Sequence, residues 1–404
     1  MSEAPTEIMP TLTSAPNANQ TELQIEIHTI DESFHRHFAT DYWGWRTVFE
    51  NDPKARISQH PDLVLTELSF SREAEHHPPA LITCAEQSKI VGAAILVPKS
   101  IGGEKKFGPA WNLQGYRLAG NRLLGTSDAR IQNRLLEAIS THLTSTKADF
   151  LLAEDVEADD PLLELVNQGT HELQLFKPVP FQTRHKIELP ETHDEYWKKF
   201  NSATRGKIKR KTKLLSDCRV ERITKPFQVP EFLTAAQQIS KQTWQNDLLG
   251  LRIQNDDFEM QLFTFLATQD ALRAYLLWDG DTPVSFVVGN QFNGTFNYEE
   301  VGYNRDYAKK SPGQYLVISM LADMYEHERP TIFDFGGGHA DYKRMFGTRV
   351  SESGNVWLLR PGLRSKMIMG YFNGRRAMTQ SVRRTLDKLG LLDRLRKITR
   401  RGLK

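Results

Sequence analysis

Two stretches of this 404-residue chain spell the same order of elements, and that repetition limits the folds open to it. In the first, the apolar run 80–84 passes through a polar turn into the apolar run 90–97, a hairpin by its turn composition. A helix over about 127–145 follows, with Ser127 or Asp128 as N-cap and Ile131, Leu135, Ile139 and Leu143 on one face. Residues 147–155 then read as a buried strand. The second stretch repeats the plan. It has a hairpin at 271–278 and 283–289, an Asn293-Gly294 turn into strand 295–303, a helix at 313–327 and a strand at 331–335. Helical tracts between strands in this pattern predict an α/β (α+β) fold with mixed sheets flanked by helices.

The length suffices for two cores, and 39% hydrophobic with 25% charged residues describes an ordinary globular chain. The expected division is a disordered N-terminus at 1–21, a first lobe at 22–190, a second at 191–359 and a basic tail at 360–404. Residues 1–21 are polar and lack the apolar core of a signal peptide, and nowhere do 18 apolar residues run together. The expected location is therefore cytoplasmic, with the inner membrane surface as a peripheral site. Cys84 and Cys218 stand far apart without metal-like neighbours; reduced structural thiols are expected, with a single bridge as the alternative.

The net charge of +2 conceals a marked asymmetry. From Arg360 to Lys404 fourteen Lys or Arg face only Asp387 and Asp393. A second run, Lys198 to Lys213, holds eight cations and no acid. It falls within a long basic helix expected from Thr192, as N-cap, to Asp217. Such a run is either a solvated face or a surface for an anionic partner.

Residues 296–347 carry the candidate chemistry. Ser311-Pro312-Gly313-Gln314 opens a helix, where free N–H groups can receive an anion. Strand 331–335 ends in Asp334 and Gly336 to Gly338, followed by His339, Tyr342 and Lys343. Aminolysis of a thioester or ester needs a base for the amine, a donor for the oxyanion and alignment of both substrates. Glu299 and Glu300 are candidates for the base, at most one of them facing the cleft because consecutive strand side chains face opposite sides, and Asp334 competes with them. Lys343 is the candidate for carbonyl stabilisation. Ser311, Gly313, Gln314, Lys310 and Tyr342 are the candidate donor-binding residues. An ordinary β-α-β connection is the alternative reading of the whole stretch.

The order strand, NRDYAKKSPGQYL, helix, FDFGGGHADYKRMFG resembles the C-terminal half of GNAT-type acyltransferases of the CelD-like and FemAB-like groups. The resemblance covers 185–358 well, through Tyr196 to Phe200 and Thr204-Arg205, and 60–184 more loosely. It implies two GNAT-like lobes in tandem, the first degenerate. It also implies an N-acyltransferase that moves an acyl or aminoacyl group from acyl-CoA or aminoacyl-tRNA to a small-molecule or glycan amine. Cell-envelope, polysaccharide or metabolite biosynthesis is the implied setting. Lys343 is implied to contact the donor, and no metal is expected. The loop departs from the usual GNAT pattern: Lys310 stands three residues before Gly313, and Tyr315 replaces a small residue that would admit a pyrophosphate.

In the tail, Val382, Leu386, Leu389, Leu392, Leu395 and Ile398 recur at intervals of three and four among basic residues. This pattern predicts a basic amphipathic helix, either packed on the core or lying on an anionic membrane through 362–404, with Met367, Met369, Tyr371 and Phe372 as further apolar contacts. In the membrane reading, removing this segment leaves stability unchanged. The alternative to an enzyme is a non-catalytic membrane- or RNA-binding protein on a degenerate acyltransferase fold, with tRNA among the anionic partners.

Overall fold

The computed structural model describes residues 22–31, 34, 40–71, 73, 77–102, 112–125, 127–169, 171–243, 253–338 and 340–388. The first half contains β1 (Leu23–Thr29), α1 (Thr40–Asn51), α2 (Pro61–Phe70), β2 (Ala80–Glu86), β3 (Lys89–Gly102) and β4 (Asn112–Leu118). It continues with β5 (Leu124–Gly125), α3 (Ala129–Ser145), β6 (Leu151–Glu157), α4 (Pro161–Gln168), β7 (Gln174–Phe176) and β8 (Gln182–Glu188). The second half begins with α5 (His193–Lys198), α6 (Ser202–Lys213), β9 (Arg219–Ile223), α7 (Val229–Lys241) and α8 (Asp257–Thr268). Then come β10 (Leu272–Asp279), β11 (Thr282–Phe292), β12 (Thr295–Tyr303), α9 (Pro312–Glu326), β13 (Ile332–Gly337), α10 (Asp341–Phe346), β14 (Arg349–Leu359) and α11 (Leu363–Lys388). Both repeated blocks form as the sequence predicts. Cys84 and Cys218 are free thiols. The disordered segment expected at 1–21 lies outside the described residues.

The strands join one mixed sheet in the order β1-β2-β3-β4-β6-β14-β8-β13-β12-β11-β10-β9, with β5 on β3 and β7 on β14. The series β2-β3-β4-β6 and β10-β11-β12-β13 are equivalent, each ending in a parallel pair, β4 with β6 and β12 with β13. The strand after each series crosses to the other. β8 pairs antiparallel with β13, and β14 pairs antiparallel with β6 and with β8. The lobes therefore exchange their last strands, and neither closes its sheet from its own half alone.

One core is likewise common to both halves. Tyr42, Trp45 and Phe49 of α1 join Phe232 of α7, Phe263 of α8 and Phe286 of β11 in a single buried cluster. Phe49 stacks on Phe292 with centroids 5.5 Å apart, and Asn293 Nδ2 donates to the Ala55 carbonyl at 2.9 Å. The opposite face carries two separate cores, one under α3 and α4 and one under α5, α6 and α9.

The long basic helix expected from 192 to 217 is broken in two. Thr192 does cap its start, in a reciprocal capping box with Glu195. Asn201 then begins a new helix by accepting from the Thr204 N–H at 2.8 Å, while Phe200 turns into the core against Phe346. An Asn followed by Ser favours a cap over continuation.

The tail also departs from the membrane reading in its first turns. Ile368 is fully buried, and Phe372 packs edge-on to Trp357 at 5.0 Å. Met369 joins the same cluster, and Arg364 pairs with Asp149. Met369 and Phe372 are thus partly buried against this core, because β14 leaves Trp357 and Leu359 needing cover. The described side chains from Asn373 onward are exposed. Leu386 and 389–404 of the predicted stripe fall outside the residues whose side chains are described. Ile368→Ala is expected to cost about 2–5 kcal/mol in urea denaturation. The matching change at exposed Met378 should stay within about 0.5 kcal/mol.

Candidate active site

β12 and β13 pair in parallel only over Thr295 to Asn297 and Ile332 to Asp334. β12 then continues to Tyr303 and β13 to Gly337 without pairing to each other. Beyond that point the β13-facing backbone groups of β12 have no strand partner, so an extended ligand arm can take the vacant edge.

A β-bulge lies where the strands part. The register of β11 against β12 slips between Val288 and Gly289, which face Glu300 and Tyr298, so Glu299 is an extra residue. The alternation argument fails here for that reason. Glu300 lies opposite buried Val288, on the face covered by α7, and the Glu299 carboxylate accepts from Asn290 Nδ2 two residues along the same face. Both carboxylates therefore turn to one side of the sheet. Asn290 Oδ1 in turn accepts from Asn297 Nδ2 at 3.0 Å.

Glu299 is exposed, yet protein atoms crowd its carboxyl. That desolvation, followed by the charge of Glu300, raises its pKa to about 7, against the opposing Asn290 bond. The residue as a whole nevertheless keeps surface open to solvent. A carboxyl poised near neutrality and open to solvent can act as a general base.

Asp334 is differently placed. It is buried, and Arg184 of β8 holds it with Nε 2.9 Å from both carboxylate oxygens and Nη2 2.8 Å from Oδ2. Its Oδ1 also accepts from the Gly336 N–H at 2.9 Å. Asp334 is thereby committed to the frame, and the competition for the base leaves Glu299 in the better position. Lys343 Nζ donates to the carbonyls of Phe335 at 2.7 Å and Gly337 at 3.1 Å, and burial lowers its pKa. It clamps the turn in which Gly336 and Gly338 take positive φ, conformations that glycine adopts without strain. Tyr342 lies over Phe335 and Tyr298, centroids 5.9 and 6.5 Å away. His339 falls outside the described residues.

The helix start at α9 is built as a receptive terminus. Ser311 is left-handed at φ 58° and Pro312 occupies the first turn. A side chain at Gly313 would meet nothing within 4 Å, so the backbone there is open to approach. Lys211 of α6 reaches across to Ser311 Oγ at 3.2 Å and Gln314 Oε1 at 3.1 Å. Tyr315 packs partly into the core beneath α9, and Lys310 sits over the Tyr307 ring at 5.0 Å. Asn290, Asn297, Arg184 and Lys211 were not singled out in the sequence. Only Lys211 carried a signal, as one member of the basic run. Among the described residues, Glu26, His28 and Asp41 could share a metal ion, but they stand on β1 and α1, at the far edge of the sheet.

Residues 202–344 match a family model described as an acetyltransferase (GNAT) domain. Across most of its length the chain is similar to the crystal structure of FemX, at 13% identity over 83% of this chain and 97% of that one, TM-score 0.54. A tandem GNAT protein from the clavulanic acid biosynthesis pathway aligns at 13% identity over 84% and 99%, TM-score 0.46. L-PGS from Bacillus licheniformis aligns at 11% over 76% and 93%, TM-score 0.46. No curated protein matches in sequence. The second half of the chain is thus similar to a GNAT acetyltransferase domain, and the chain shares its fold with FemX.

Breaking the Arg184 pair strands a buried carboxylate. Arg184→Met is expected to cost about 3–5 kcal/mol in chemical denaturation.

Proposed function

We propose that this chain is an N-acyltransferase that moves an acyl or aminoacyl group from an activated donor to an amine, with Glu299 as the base. The observation that carries it is a solvent-accessible carboxyl of pKa about 7 on the bulge at which β12 and β13 part. Glu299 takes a proton from the acceptor ammonium, directly or through one water. The amine nitrogen then bonds to the acyl carbon, the bond from that carbon to the donor sulfur or oxygen breaks, and the leaving group gains a proton.

The arrangement around α9 supports a phosphate-bearing donor such as acyl-CoA. Ser311, the open backbone at Gly313, Gln314 and the nearby cations Lys211 and Lys310 would hold its phosphates. Tyr342 would flank the acyl arm. Lys343 acts as a positioning residue through the turn that it clamps. The exposed cations of α6 would serve an aminoacyl-tRNA through the same entrance, and turnover with a panel of acyl-CoAs against aminoacyl-tRNA separates the donors.

If Glu299 is the base, kcat/KM should rise with pH through about 7 and level off above, because only the deprotonated carboxylate can accept the proton. Glu299→Gln should remove that limb and lower the rate by ~10²–10⁴-fold, while Glu300→Gln keeps the limb. An unchanged profile in Glu299→Gln would sink the assignment.

No helix among the described residues is long and apolar enough to cross a membrane. Peripheral contact with an anionic surface, on the cytoplasmic side, is proposed for the exposed part of α11. There Arg375, Arg376 and Arg384 accompany exposed Met378 and Val382. Deleting 375–404 should weaken sedimentation with anionic liposomes and preserve turnover, and salt should weaken the binding of the intact chain.

A further inference from the structure

A cavity of about 440 Å³ opens at the junction of the lobes, on the sheet face to which Asn297 and Asp334 turn. Five cations of the first half line it: Lys54, Arg56 and Arg122 from loops, and Arg184 and Lys186 from the exchanged strand β8. Most of them already have acidic partners. Arg184 is held by Asp334 and Asp155, Lys186 by Glu157, and Arg122 lies 3.8 Å from Asp52. Arg56 differs. Among the described residues no carboxylate lies within 4 Å of its guanidinium; Arg184 and Arg122 repel it, while Asp160 of the same cavity and Asp155 attract it from farther off. Burial, and after it the charge of Arg184, lowers its pKa against the pull of the two carboxylates.

Its placement is nonetheless fixed by the fold. The flanking residues Ala55 and Ile57 are buried, the Arg56 N–H donates to Gln59 Oε1 at 3.0 Å, and the Ala55 carbonyl is held by Asn293. A half-buried cation with no counter-ion in contact, beside two other cations, costs free energy in the empty protein, and a bound anion would reduce that cost. A guanidinium also offers two parallel donors matched to the oxygens of a phosphate or carboxylate.

We infer that the cavity at the lobe junction is a binding site for a small molecule bearing an oxyanion, phosphate or carboxylate, with Arg56 as its principal ligand. The volume fits a ligand of metabolite size. Asn297 lines the same cavity and connects through Asn290 to Glu299, so an occupant would lie two side-chain amides from the bulge. The inference does not depend on Glu299 being a base.

Calorimetric titration and thermal shift of the full chain with inorganic phosphate, pyrophosphate and citrate test it. At least one is expected to bind saturably, the phosphate and citrate arms separating the two chemistries. Arg56→Gln is expected to weaken that binding by about tenfold or more, with Arg56→Lys intermediate. Without ligand, Arg56→Gln should melt at or above the wild-type temperature, because an unpaired cation has been removed. Equal binding by wild type and Arg56→Gln, or no saturable binding of any of the three, overturns the inference. If Arg56→Gln does not fold, Arg56→Lys carries the binding comparison, and equal binding by wild type and Arg56→Lys overturns the inference.

Discussion

The guanidinium of Arg184 is the point at which the two halves of this chain are joined. Arg184 stands on β8, yet it reaches Asp334 on β13, the carbonyl and carboxylate of Asp155 on β6, and Ser353 Oγ on β14 at 3.4 Å. Two of these strands belong to the repeated series and two are the strands exchanged between them. Face burial alone excludes a one-residue slip of a strand but not a slip of two, which returns every side chain to its own face. A buried guanidinium is less tolerant, because its donors must all be met. Desolvation offsets much of the attraction in such a pair, so its main effect is to select one arrangement. Lys186, near both Glu157 and Asp334, repeats the device two residues further along β8.

That rigid junction bears directly on the cleft. Asp334 marks the last paired residue of β13 before it leaves β12, and its carboxylate holds the Gly336 N–H at the start of the glycine turn. Lys343 closes the same turn from α10, and Lys199 Nζ, 2.6 Å from the Phe346 and Gly347 carbonyls, fixes the end of α10 in its turn. Glu299 thus faces an opening whose far wall is tied, through Asp334 and Arg184, to the first lobe. The first lobe is better regarded as a part of the frame of the site than as an appendage to it.

The fold was legible to the extent that it is local. Period and turn chemistry gave both hairpins, both crossover helices and the caps at Asp128 and Thr192, since each depends on neighbours in sequence. The strand exchange was not legible, because β8 and β14 look like ordinary strands and only their partners distinguish them. The same reason hid Arg184 and Asp334, which are 150 residues apart. Glu299 was visible as a strand acid, whereas its orientation was not. A bulge is a property of two strands together, and strict alternation, applied to one strand, gives a wrong face. In the tail, the basic amphipathic pattern is real, but Ile368 and Phe372 answer to Trp357 on another element.

The break between α5 and α6 shows how one such local detail serves the site. Tyr196 and Phe200, four residues apart and so on one face, both pack into the core, Phe200 against Phe346, before the chain turns. The cap at Asn201 re-aims the chain, and α6 then carries Lys211 to Ser311 and Gln314 at the start of α9. Lys199, in the linker itself, is drawn to the end of α10, where burial lowers its pKa to about 8. Two cations of the same run thus end on different elements, Lys211 at the helix start that can receive an anion and Lys199 at the end of α10. The remaining cations of α6 are left in solvent. A charge run that composition presents as uniform is divided by a single Asn cap into residues that build the site and residues that surround it.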